Sequence, residues 1–150
     1  MMSKNLIIDS NLMLLLVIGA VEGGRHIRNS KRLKAFNKSD YNRVLAIMAC
    51  YDRVFVTPYI ATEVSNLIDL NGYARLLAFE VARNLFSQFN KIDVDLDRDC
   101  KSDYFLKFGI TDNSLINYAS NYFILTNDHR LLGPLYKSNK DHVIPYIRLR

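Results

Sequence analysis

Hydrophobic and polar positions alternate between two periods along this chain. Leu6, Ile7 and Ile8 form a short apolar run of the buried-strand type, which passes through Asp9, Ser10 and Asn11 into a second apolar segment, Leu12 to Val21. Strand, turn and helix is the predicted order. Val44, Leu45, Ile47, Met48 and Tyr51 have helical spacing, and Val54 to Val56 read as another buried strand. Thr57 is a favoured N-cap and Pro58 suits the first helical position, so a helix is expected through Ile60, Val64, Leu67 and Ile68, ending at Asn71-Gly72. A further helix is expected over 73–89.

Ile92 to Asp97 alternates apolar and acidic residues, the period-two signature of a half-exposed strand, and reads as an edge strand or an extended loop. A short helix over 104–108 follows. Gly109 and Thr111 then introduce a helix carrying Leu115, Ile116 and Ala119, and 122–126 reads as a strand. The stretch 127–136 is helical again, and Val143, Ile144, Tyr146 and Ile147 make a last strand, with Pro145 demoting part of it to an edge. Strands that alternate with helices predict one α/β domain over residues 1–150, with a mainly parallel central sheet between two helical layers.

The length of 150 residues and 49% hydrophobic content suit a domain with its own core. Cys50 and Cys100 lie in unrelated contexts without zinc-site spacing, and both read as reduced and buried. The most membrane-like run, 12–21, is well short of the roughly 20 residues needed to span a bilayer. Asp9 and Asn11 also break the apolar core that a secretory signal would need, so a cytoplasmic protein is the expectation.

Four acids interrupt apolar patterns. Glu63 fills the missing i+3 position of the stripe Ile60, Val64, Leu67 and Ile68. Asp112 precedes Leu115, Ile116 and Ala119 by three, four and seven residues, and Asp128 stands in the same relation to Leu131, Leu132 and Leu135. Asp9 follows the first strand directly. Strand carboxyl ends and early helical turns share one edge of a parallel α/β sheet, so the four carboxylates are expected to converge there. Their repulsion would then require cations, and hard divalent ions with oxygen ligands, Mg²⁺ or Mn²⁺, meet that requirement. Blander roles compete: Asp112 and Asp128 suit helix N-termini, and Asp9 suits an Asx-turn.

Asp93, Asp95, Asp97 and Asp99 open like a calcium loop, but Arg98 stands where glycine is needed and Tyr104 where glutamate is needed, so a solvated strand face is expected. His26, His129 and His142 lack mutual ligand spacing. Tyr41, Tyr51, Tyr59 and Tyr73 read as packing residues rather than base-stacking platforms. The net charge of +5 favours an anionic partner, and the segment from Arg25 to Arg43, which holds one acid, Asp40, reads as an exposed loop or helix. Arg25, Arg28, Lys31, Arg32 and Lys34 are its candidates for phosphate-backbone contact.

The motifs LIIDSN (6–11), TPYIATEVSNL (57–67), GITDNSLINYA (109–119) and ILTNDHRL (124–131), in that order, resemble the PIN-domain nucleases, including toxin ribonucleases of the VapC type. The resemblance covers most of the chain. It implies a three-layer α/β/α PIN-like fold, metal-binding catalytic roles for Asp9, Glu63, Asp112 and Asp128, and polar helper roles for Ser10, Asn11 and Thr126. It further implies an endoribonuclease, an antitoxin partner and a homodimer; Leu76, Leu77, Phe79, Phe86 and Phe89 offer apolar surface for core or dimer packing. A module without turnover and a nuclease acting on structured DNA are the alternative readings.

Overall fold

A computed structural model describes residues 3–148. Five parallel strands form one sheet: β1 (Asn5–Ile8), β2 (Arg53–Val56), β3 (Asn90–Lys91), β4 (Phe123–Thr126) and β5 (Val143–Pro145), in the spatial order β3-β2-β1-β4-β5. In register, Leu6 lies beside Val54 on one flank and Phe123 on the other. The chain builds outward from β1 to β3, then crosses back to β4, so strand order reverses between β1 and β4.

Helix α1 (Ser10–Gly19) packs on α2 (Lys38–Met48), α3 (Pro58–Leu67) and α4 (Gly72–Gln88). Helix α7 (Ile110–Tyr118) packs on α5 (Leu96–Asp99), α6 (Asp103–Phe108) and α8 (Leu132–Asn139). Right-handed crossovers place strands added in opposite directions under helices on opposite faces, which produces the expected α/β/α sandwich. Residues 12 to 18 of α1 are all buried, as the centre of its helical layer requires. That burial accounts for the apolar run, and among the described residues no helix is long and apolar enough to cross a membrane.

Local chemistry fixes the helix starts. The Thr57 hydroxyl accepts from the Ile60 N–H at 3.1 Å with Pro58 in the first turn. Asn37 and Asp40 form a reciprocal capping box that starts α2, so the basic segment divides into an irregular stretch with short 3₁₀ turns at 22–24 and 27–29, and a helix.

The alternating acidic tract takes the second of its two expected forms, an extended connection, because pairing with β2 stops at Lys91 and Asp95 turns the chain into α5 by accepting from the Arg98 N–H. Several expectations are corrected. Asp99 is not on a solvated face but fully buried, accepting from the Tyr59 hydroxyl at 2.8 Å and from Asn117 Nδ2 at 3.1 Å. Burial, followed by this carboxylate, pushes the Tyr59 phenol well above its ordinary range. The cysteines are free but not buried, Cys50 being exposed and Cys100 half-buried. Tyr73 is 70% exposed, which excludes it from the core.

Asp99 joins α3, α5 and α7, so Asp99→Ala leaves two half-buried donors without this acceptor. The expected loss is about 2–4 kcal/mol, or roughly 5–15 °C in thermal midpoint, readable by circular dichroism. An unchanged midpoint would show that the network has no stabilising role.

Candidate functional site

The site lies where strand order reverses, at the carboxyl ends of β1 and β4, the usual place for ligands in open parallel sheets. Asp9 leaves β1 with its backbone N–H bonded to the Leu125 carbonyl of β4 at 2.9 Å. As N-cap of α1, its carboxylate accepts from the Asn11 N–H at 3.1 Å, and its other oxygen accepts from the Thr126 hydroxyl. The Thr126 oxygen in turn accepts from the Asp128 N–H at 3.0 Å. One threonine thus ties the acid after β1 to the acid after β4.

Helices α3 and α7 meet and supply the other two acids. Glu63 and Thr111, the residue before Asp112, line one hollow of about 310 Å³ with Tyr59, Thr62, Asn66 and Leu67. Asp128 and Glu63 are within electrostatic reach of both Asp9 and Asp112. Burial raises the Asp9 carboxyl to about 6 against the opposing bonds from Thr126 and Asn11, and the charges of Asp128 and Glu63 add to the rise. Burial also raises Asp112 to about 7, followed by repulsion from Asp9, Asp128 and Glu63. Unlike charged groups paired for stability, these acids work against one another.

No protein-family model matches the chain, and no curated protein matches its sequence.

Asp128 differs from its neighbours. Arg130 holds it in a two-point clamp, Nη2 to Oδ2 at 2.6 Å and Nε to Oδ1 at 3.0 Å, while the same Nη2 stands 3.8 Å from Asp112. The clamp lowers the Asp128 carboxyl below its ordinary range. Sequence reasoning passed over Arg130 although it lies inside the ILTNDHRL motif. Its spacing was a usable signal, because the Arg130 backbone N–H also caps Asp128 at 3.1 Å, which fixes the arginine beside it.

Of the expected helpers, Thr126 is buried and directly engaged, whereas Asn11 is exposed and contributes its backbone N–H. Ser10 is buried, and its hydroxyl lacks a partner among the described residues. Arg25, Arg28, Lys31, Arg32 and Lys34 all stand exposed on the irregular stretch before α2, with Arg25 paired to Glu22 at 3.3 Å.

The donor chemistry suits a hard divalent cation: four carboxylates, a threonine hydroxyl and no thiolate or imidazole in the group. The side chains do not stand as a closed coordination shell, since among the described residues no three acidic, histidine or cysteine groups are gathered to hold an ion. Arg130 supplies the local positive charge instead. The Asp128 arm would exchange its guanidinium partner for an ion, while Asp9 is already oriented by Thr126.

Proposed function

We propose that this chain is a Mg²⁺- or Mn²⁺-dependent endoribonuclease of the PIN type. The observation that supports the reading is the link from Asp9 through Thr126 to Asp128 at the β1/β4 switch point, with Asp112 beside the same Arg130, and with Asp9 and Asp112 raised by burial and by the charges of their neighbours, Glu63 among them. Protonation or the Arg130 guanidinium relieves part of this repulsion, and a divalent cation would relieve it with all four carboxylates ionised. Asp9, Glu63, Asp112 and Asp128 would hold the ion, which supplies an activated water and charge stabilisation for the departing oxygen.

The chain's own residues orient that chemistry. Thr126 fixes Asp9 and the backbone of Asp128, and burial of Asp9, 6% exposed, limits solvent around the reacting phosphate. The motif resemblance and the net charge of +5 favour RNA as the substrate. The resemblance also supports an inhibitory antitoxin, a homodimer and a cytoplasmic site of action. In the apolar helix expected to serve core or dimer packing, Leu76 is 55% exposed and Phe79 and Phe86 are half-buried.

A second reading, a nucleic-acid-binding module without turnover, draws on the clamp that Arg130 keeps on Asp128. Incubation of purified protein with single-stranded RNA separates the two. Internal cleavage with Mg²⁺ or Mn²⁺, abolished by EDTA, is expected; RNA bound equally with and without metal, and never cut, would establish the module. Faster cutting of branched or single-stranded DNA than of RNA would reassign the substrate.

A further inference from the structure

Beside the acids, on the Asp128 side, lies a cleft of about 650 Å³ between residues 34–37, 127–129 and 146–148. Its wall is continuous with the acid site: Asn127 and His129 flank Asp128, and the Tyr146 N–H donates to the Thr126 carbonyl at 2.8 Å. Lys34, His129 and Arg148 line it. A second hollow of about 290 Å³ shares Phe36 and Asn37 with the first and carries Arg25, Arg28 and Lys38. Among the described residues, no carboxylate lines either hollow.

We propose that these two hollows form one groove that holds the phosphates of a single RNA strand as it leaves the acid site. The inference rests on the nuclease reading and adds the substrate's path to it. Charge sorting within the molecule is the main argument: Asp9 and Asp128 stand at the β1/β4 edge, while among the described residues the side chains that line the adjoining concave surface are cationic or neutral. A polyanion is attracted along such a surface without its sequence being read.

The groove is also held in shape. Arg148 Nη1 donates to the Ala35 carbonyl at 3.3 Å, Arg43 Nη1 donates to the Ile147 carbonyl at 3.4 Å, and the buried Tyr146 hydroxyl donates to Asp40 at 2.6 Å. These bonds fasten residues 146–148 to α2 and to the loop before it, so the two banks keep their spacing. Because Asp9 is recessed, a strand that can bend to present one phosphate fits this entrance better than a duplex.

The test is binding of a labelled oligouridylate to the full chain in EDTA, followed by fluorescence anisotropy over a salt series. Lys34→Gln with Arg28→Gln should weaken binding about 10-fold or more and reduce the salt slope by about 1.4, the value for two lost single-strand phosphate contacts. Lys34→Arg should restore its share, and Arg83→Glu on α4 should bind as the wild type does. Circular dichroism verifies that each variant is folded.

Wild-type affinity and slope in the double variant would overturn the groove, and equal competition by duplex RNA would overturn the single-strand assignment. Asp9→Asn should bind at least as tightly as wild type in EDTA. Loss of the cleavage reading therefore registers separately from loss of the groove, since this assay involves no turnover.

Discussion

Asp112→Asn is expected to give a folded protein that resists heat better than the wild type and cleaves RNA at least about 100-fold more slowly. Both effects come from one oxygen-for-nitrogen exchange. Asp112 is 23% exposed in its side chain and faces the charges of Asp9, Asp128 and Glu63, so its ionised form is unfavourable in the folded state without a cation. The amide removes that charge and with it a ligand. After discounting for solvent screening, the gain is about 1–2 kcal/mol at pH 8, or roughly 2–8 °C.

Asp9→Asn should lose cleavage to a similar degree with less stabilisation. The Asp9 carboxylate accepts from both the Asn11 N–H and the Thr126 hydroxyl, and an amide has one oxygen to offer them. Full metal-dependent cleavage by both variants would remove these acids from catalysis. Reduced cleavage in Asp112→Asn with a lowered thermal midpoint would instead mark a structural role.

The second large effect is a fall in metal-free stability as pH rises. Asp9 and Asp112 titrate near 3.9 in an unfolded chain and at about 6 and about 7 in the folded one. Between these limits the folded state binds more protons than the unfolded state, so stability declines from about pH 4 to about pH 7. The Asp9 shift alone sets an upper bound of about 3 kcal/mol. Asp128 has the opposite sign: its lowered carboxyl contributes stability above about pH 4 that is lost on further acidification.

Denaturant unfolding in EDTA at pH 5 and pH 8 measures this slope. Mg²⁺ or Mn²⁺ at 100 times its dissociation constant should restore about 2.7 kcal/mol at pH 8, and much less at pH 5, where protons compete for the same oxygens. Stability that stays level or rises between pH 5 and pH 8, together with no response to either ion, would contradict a cation site at these acids.

The α/β sandwich was legible because buried parallel strands and amphipathic helices leave different periods, and because Thr57-Pro58 marks the real start of α3; Asn71-Gly72, expected to end that helix, instead opens α4, α3 having stopped at Leu67. The positions of Asp9, Asp112 and Asp128 were legible for a related reason, since each follows a strand directly or lies in a first helical turn, whereas Glu63 stands midway along α3. The alternation at 92–97 left two forms open because a period of two suits a strand and an extended connection alike, and only Asp95's cap reveals the turn into α5. Asp99 could not be assigned to the interior from its neighbours, since its burial depends on Tyr59 and Asn117, 40 and 18 positions away. The cysteines were misplaced on residue type alone.

The Asp9–Thr126 bond joins residues 117 positions apart, across a pair of neighbouring strands whose partners are made at opposite ends of synthesis. On a ribosome, Asp9 and Glu63 emerge long before Asp112, Thr126 and Asp128, and β1 lacks its β4 flank until then. Such distant pairing is a late event in folding. A partly translated chain therefore lacks the complete set of acids until β4 has been made.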